Sequence, residues 1–119
     1  MPRIIEMLAR RSVPRLVIAG QEWGIARRWW GSAESGQPME IDVVAESSDG
    51  KALLVGEVKL SATALEIERI HKQLHEKADQ LPFAKHYQKV EAVVFSASGS
   101  HLKERAKGVV LPDLLRVLV

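Results

Sequence analysis

The sequence contains no cysteine, which excludes both a disulfide framework and a thiolate zinc site and suits a reducing cytoplasm. It also lacks any apolar run near the roughly 20 residues needed to span a bilayer. The opening residues, Met1-Pro2-Arg3-Ile4-Ile5-Glu6, do not carry the long apolar stretch of a signal peptide. No internal repeat or low-complexity tract is present. What remains is an ordinary globular composition: 119 residues, 46% hydrophobic and 27% charged. That length fits one domain with one core. The net charge of +2 and pI near 9.1 are mildly basic, compatible with a nucleic-acid partner without demanding one. Arg10-Arg11, Arg15 and Arg27-Arg28 cluster in the first third, where they read either as solvated helix and strand faces or as part of a phosphate-binding surface.

Along the chain, residues 3–11 predict a short amphipathic helix with Ile4, Ile5, Met7 and Leu8 inward, stopped by Pro14. Residues 16–20 are apolar and ambiguous between strand and helix. A strand over 25–30 ends at Gly31, and a polar turn region follows to Pro38. Residues 39–46 and 51–60 are β-rich and flank Ser47-Ser48-Asp49-Gly50. Asp-Gly in this position predicts a hairpin with a type I′ turn, whose two central residues both need positive φ. A helix over about 62–81 follows. Thr63 and Glu66 form a capping box, Ile67, Ile70, Leu74, Ala78 and Leu81 make one apolar stripe, and Pro82 lies just beyond. A buried strand over 90–97, a short helix over 101–107, a strand over 109–111 and a final helix from Pro112 complete the chain. The order is αβββαβαβα, an α/β domain with a central mixed sheet flanked by helices.

The chemistry concentrates in the hairpin. Glu40 and Asp42 share one face of their strand and Glu57 and Lys59 share one face of theirs, and the hairpin turn decides whether these are the same face. With Asp49-Gly50 as a two-residue turn, paired residue numbers sum to 99, so Asp42 opposes Glu57 and Glu40 opposes Lys59. A four-residue loop over Ser47 to Gly50 gives 97 and makes Asp42 and Glu57 diagonal neighbours on one face. A three-residue loop or a bulge would split them. Opposed carboxylates are destabilising on a sheet, and a hard divalent cation such as Mg²⁺, with its preference for carboxylate and water oxygens, would account for them. Lys59 could then hold an attacking water or offset phosphate charge. The apolar run before Glu57, Ala52-Leu53-Leu54-Val55-Gly56, makes the charges costlier still unless paired or coordinated. The plain alternative is an exposed ion pair between Glu40 and Lys59.

Three stretches, Arg28-Trp29-Trp30-Gly31, Glu40-Ile41-Asp42-Val43-Val44-Ala45 and Leu53-Leu54-Val55-Gly56-Glu57-Val58-Lys59-Leu60-Ser61, together resemble the DUF234 domain over roughly residues 23–97. That domain occurs at the C-terminal end of archaeal and bacterial AAA-type ATPases and belongs to the PD-(D/E)XK nuclease-like superfamily. The resemblance implies a restriction-endonuclease-like core over residues 1–119. It also implies Asp42 and Glu57 as ligands of Mg²⁺ or Mn²⁺, the Val58 carbonyl as a third, and Lys59 as the catalytic lysine. Many superfamily members add a glutamate from the first helix; Glu6 is the natural match and Glu22 the second choice. No Gly-x-x-x-x-Gly-Lys-Ser/Thr sequence is present, so the chain is expected to be the C-terminal part of a longer ATPase.

Two functions follow as expectations. One is a metal-dependent nuclease that hydrolyses DNA phosphodiesters, with DNA and the ATPase domain of the parent protein as partners and a homodimer where both strands are cut. The other is a non-catalytic nuclease-like module that binds DNA or a partner. Elsewhere, His71 and His75 lie four apart on the long helix, either as a metal pair or as a solvated face. Gln73 and Lys77 are candidate DNA contacts of the same helix. Trp29 and Trp30 point to opposite faces of their strand, so one is core and the other free for a partner or a base. Ser61 reads as a helix cap rather than a nucleophile.

Overall fold

A computed structural model describes residues 3–60, 63–96 and 108–110. Helix α1 (Arg3–Ser12) runs into a 3₁₀ turn at Val13–Arg15, where Pro14 sits. Two short strands follow, β1 (Val17–Ile18) and β2 (Gln21–Glu22). They are the hairpin hidden in the ambiguous stretch 16–20. Ala19 and Gly20 form its two-residue loop, and both have positive φ, 52° and 73°. The type I′ geometry expected at Asp49-Gly50 is therefore found here instead.

The main sheet has five strands in the order β3 (Arg27–Ser32), β4 (Pro38–Glu46), β5 (Ala52–Lys59), β6 (Lys89–Ser96), β7 (Gly108–Val110). The first two pairings are antiparallel and the last two parallel. Helix α2 (Ala64–Asp79) is the crossover between parallel β5 and β6. The sheet is thus mixed, as expected, and has one element more ahead of it, the β1–β2 hairpin. The predicted helices over 101–107 and from Pro112 lie outside the described residues, as does Ser61.

Strand alternation sends β5 and β6 side chains into two apolar layers. Ala52, Leu54 and Val58 with Val93 and Phe95 join Ala9, Val13, Ile18 and Trp23 on the α1 side. Leu53 and Val55 with Ala92 and Val94 join Ile67, Ile70, Leu74, Ala78 and Leu81 on the α2 side. The whole predicted α2 stripe is buried. Trp23, unplaced by its sequence, is 2% exposed, and its indole Nε1 donates to the Ile18 carbonyl at 3.0 Å. In α1 the inward set differs from expectation. Ala9 and Ser12 are buried and Ile5 and Leu8 partly so, whereas Ile4 and Met7 face outward. Ala9 and Val13 close the layer and Ile5 packs against it, so the inward face of α1 runs through Ile5, Ala9 and Ser12.

The capping box forms as expected. The Thr63 hydroxyl accepts from the Glu66 N–H, and the Glu66 carboxylate accepts from the Thr63 N–H. Those bonds from Thr63 hold the Glu66 carboxyl below its ordinary value, with smaller help from the charges of Arg69 and Lys59. Thr63→Ala is expected to lower the unfolding free energy by about 1 kcal/mol, read as a shift in denaturant midpoint with an unchanged m-value.

Candidate functional site

The β4–β5 hairpin carries the candidate residues, and its loop sets their register. Gly50 N–H donates to the Ser47 carbonyl, and Ser47 N–H to the Ala52 carbonyl. The Asp49 carboxylate accepts from Ser47 Oγ at 2.6 Å and from Lys51 N–H at 3.0 Å. These bonds, the Ser47 hydroxyl first, hold its carboxyl below the usual range. Gly50 has φ 75° while Asp49 does not share positive φ, so the turn is not type I′. The strand register nevertheless sums to 99: Val43 pairs with Gly56, Val44 with Val55, Ala45 with Leu54 and Glu46 with Leu53. Four loop residues, 48–51, achieve what a two-residue turn was expected to do, because Ser47 and Ala52 still close the ladder.

The ladder stops at Val43–Gly56, one pair short of Asp42 and Glu57. On the other side of β4, Arg27 pairs with Val44 but Trp29 pairs with Ile41, so Asp42 and Val43 together oppose Arg28. This is a β-bulge, and it changes the face of the strand. Ile41 belongs to the α2 layer, whereas Val43, two residues on, belongs to the α1 layer. Asp42 is the residue at which the alternation breaks. Its carboxylate turns into the seam between the strands, where Oδ2 accepts the Val58 N–H at 2.9 Å. That amide is the peptide unit between Glu57 and Val58. Asp42 and Glu57 are therefore neighbours through one peptide group, although the ladder itself no longer pairs them.

Glu57 is half-buried, and its carboxylate makes no hydrogen bond or ion pair with another described residue. Lys59, also half-buried, lies two residues on along the same strand, and its charge is felt at Glu66 in the first turn of α2. Gly56, just before Glu57, is where the strand is most tightly enclosed. A Cβ there would meet Phe95 Cε2 at 2.9 Å, Val43 Cβ at 3.1 Å and Val93 Cγ1 at 3.3 Å.

Glu40 does not join this group, and the Glu40–Lys59 ion pair weighed as an alternative is not formed. Glu40 pairs with Trp30 in the ladder, and its carboxylate binds the Arg28 guanidinium at 2.7 Å. Lys77 Nζ reaches the Glu40 carbonyl at 3.3 Å, while Gln73 is exposed. Glu6 is linked to the seam only indirectly. It pairs with Arg10 at 3.8 Å, and Arg10 Nη1 donates to the Asp42 carbonyl at 3.0 Å. Glu22 is at the wrong end: its carbonyl accepts from Ser48 N–H in the hairpin loop, six residues up β4 from Asp42 and about 20 Å away. Among the described residues, no three His, Asp or Glu side chains converge as a metal cluster, so neither glutamate completes a three-carboxylate set with Asp42 and Glu57. His71 and His75 are in edge contact, ring centroids 4.8 Å apart.

Arg10 is the residue that sequence reasoning passed over. As one of a pair of arginines it read as a solvated face, yet it is half-buried and braces the bulge, whereas Arg11 is exposed. Its position four residues after Glu6 was the available signal.

A candidate cation site at the seam would use the carboxylate oxygens of Asp42 and Glu57 and the Val58 carbonyl. The arrangement suits that donor set in one respect that ordinary strand packing does not explain. Asp42 has a second oxygen not engaged by a described residue, beside the half-buried Glu57 carboxylate, which has no partner among the described residues.

No helix among the described residues is long and apolar enough to cross a membrane. No curated protein and no solved structure matches the chain. The profile of one family, DUF234, described as archaeal and bacterial proteins of unknown function, matches residues 3–80. The match begins at α1, earlier than the motifs that carried the resemblance, and ends with α2. It spans well over half of the 119 residues, and the chain belongs to the DUF234 family.

Proposed function

We propose that this domain is a divalent-metal-dependent DNA nuclease of the PD-(D/E)XK type, with its reacting centre at the β4–β5 seam. The observation that carries the reading is the hydrogen bond from Val58 N–H to Asp42 Oδ2. It holds the Asp42 carboxylate against the peptide that carries Glu57, so that two carboxylates and a carbonyl are gathered, oxygen donors of the kind a hard divalent cation takes. Asp42, Glu57 and the Val58 carbonyl would hold Mg²⁺ or Mn²⁺, leaving the remaining coordination positions to water and a phosphate oxygen. When bound, the metal would supply Lewis acidity toward the phosphate and lower the pKa of a water. Lys59 follows Glu57 at the strand end, where its ammonium can orient that water and offset charge developing on the phosphate. Arg10 acts as a positioning residue: its bond to the Asp42 carbonyl fixes the bulge that aims the carboxylate.

A second reading has a specific observation behind it. Glu6 is engaged by Arg10 rather than delivered to the seam, and no third acidic side chain converges there among the described residues. A catalytically silent nuclease-like module, binding DNA or a partner as an appendage of an AAA-type ATPase, would look the same. Supercoiled plasmid incubated with Mn²⁺ separates the two. Nicking by the parent protein that is lost in Lys59→Ala supports the nuclease. DNA retention without nicking in either protein supports the binding module, and equal nicking by both proteins rules out Lys59 as a catalytic group.

A further inference from the structure

The edge strand β3 presents an aromatic surface that the reading above does not use. Trp29 turns inward, in edge contact with Phe83 at 5.9 Å. Trp30 turns to the other face and is 68% exposed. The Arg28 guanidinium lies over the Trp30 ring, 5.2 Å from its centroid, and is itself fixed by Glu40 at 2.7 Å. A large indole left in water with an arginine clamped on it is a rigid, prearranged platform, because neither group must be ordered when a ligand arrives. Beside it lies a depression of about 390 Å³ lined by Trp30, Gly31, Ser32, Pro38, Met39 and Glu40, within the size range of small-ligand sites, about 300–1,000 Å³.

Its place in the sheet matters as much as its chemistry. Trp30 pairs with Glu40, two residues along β4 from Asp42 and toward the end of the sheet where Lys59 lies. Strands are about 4.8 Å apart, so the Trp30 backbone on β3 is roughly 10 Å from β5, but its side chain leaves the sheet on the α1 face, whereas Glu57 and Lys59 alternate with Val58 and leave it on the α2 face.

Resting on the reading of the domain as one that acts on DNA, we infer that Trp30, with Arg28 stacked on its ring, is a stacking platform for an unpaired nucleobase of the bound strand, on the sheet face opposite Glu57. Indole faces bind bases without sequence preference, and an adjoining arginine adds cation–π attraction. The Arg28 guanidinium supplies positive charge for the backbone beside the stacked base. The same arginine disfavours the other use of a sheet edge, strand pairing with a second copy, because charged side chains block edge-to-edge association. The favoured ligand is therefore a single-stranded or locally opened nucleic acid rather than an intact duplex, whose bases are already stacked.

The test uses the whole 119-residue chain in metal-free buffer, titrated with oligo(dT), oligo(U) and a duplex of equal length, and read by tryptophan fluorescence and by anisotropy of a labelled oligonucleotide. Of the three tryptophans, Trp23 is buried and Trp29 half-buried, so quenching by a stacked base should come from Trp30. Saturable quenching is expected with a single strand and not with duplex. Trp30→Ala should remove the quench and weaken binding by about tenfold or more, with an unchanged denaturation midpoint, since the side chain is exposed. Trp30→Phe should lose most of the quench and keep most of the affinity. Unchanged affinity in Trp30→Ala, or equal affinity for duplex and single strand, overturns the inference. Because no metal is present, quenching that persists while Lys59→Ala leaves plasmid nicking unaltered would reject the nuclease reading and leave the platform standing. Loss of nicking in Lys59→Ala without any Trp30-dependent binding would do the opposite.

Discussion

Gly56→Val is expected to destabilise the domain by about 3 kcal/mol or more, the upper part of the usual overpacking range. The position is not one that needs glycine for its backbone dihedrals. It needs glycine because β5 is enclosed there from both neighbouring strands. Even a single Cβ would come within 2.9 Å of Phe95 Cε2 and 3.1 Å of Val43 Cβ, and Phe95 and Val43 are themselves fully buried. Neither can retreat without opening the α1 layer, since packed interiors yield little. Gly24→Ala is the control: its new Cβ would meet only the Glu46 carbonyl at 3.4 Å, and the denaturant midpoint should move little. Comparable losses in the two variants would mean that β5 is less tightly held than its contacts indicate. The consequence reaches the candidate site, because the residue after Gly56 is Glu57, and a strand that shifts at Gly56 moves the carboxylate with it.

The second large effect is expected at Asp42, where two substitutions divide structure from chemistry. Asp42→Asn keeps an oxygen that can accept the Val58 N–H but removes the negative charge that a cation requires. Asp42→Ala removes both. Mn²⁺-dependent DNA cleavage should fall by at least about 100-fold in each, as expected when a preorganised electrostatic group is lost, with Glu57→Gln and Lys59→Ala falling comparably. Stability should separate them. Asp42→Ala leaves a seam N–H without its acceptor and should lose about 1–3 kcal/mol, while Asp42→Asn should stay near the parent. Cleavage in Asp42→Asn at the parent rate would assign Asp42 a structural role alone, that of closing a bulge. Substitutions at the three candidate residues are not expected to add, because residues that serve one reacting centre fail together.

Much of this architecture was legible before any coordinates. The α2 stripe and its capping box depend on spacing within one helix, and both formed as expected. The β4–β5 hairpin also followed from local signals, and its register of 99 is one of those that the sequence left open. What local signals could not reach were features decided across the sheet. The turn type was set by the Asp49 carboxylate gathering Ser47 Oγ and Lys51 N–H, so the Asp-Gly pair gave the right strands through a different loop. The bulge at Asp42 exists because Ile41 and Val43 are claimed by opposite apolar layers, and a residue's layer is a property of the whole fold. Glu40 looked placed to meet Lys59 but was taken by Arg28 from the neighbouring edge strand. In α1 the hydrophobic pattern identified a helix but not its inward face, since Ile4 and Met7 lie outside the layer that Ala9 and Val13 close.

The bulge also sharpens what should be looked for at the seam. Strict alternation would have faced Asp42 and Glu57 across a ladder; instead one carboxylate lies in the seam and the other stands beside the peptide it grips. A crystal of the protein grown with MnCl₂ and measured for anomalous scattering would test this most directly. A peak is expected within about 2.0–2.6 Å of a carboxylate oxygen of both Asp42 and Glu57, and it should vanish in Asp42→Asn. No peak, with the two carboxylates more than about 6 Å apart, would contradict a metal centre at the β4–β5 seam.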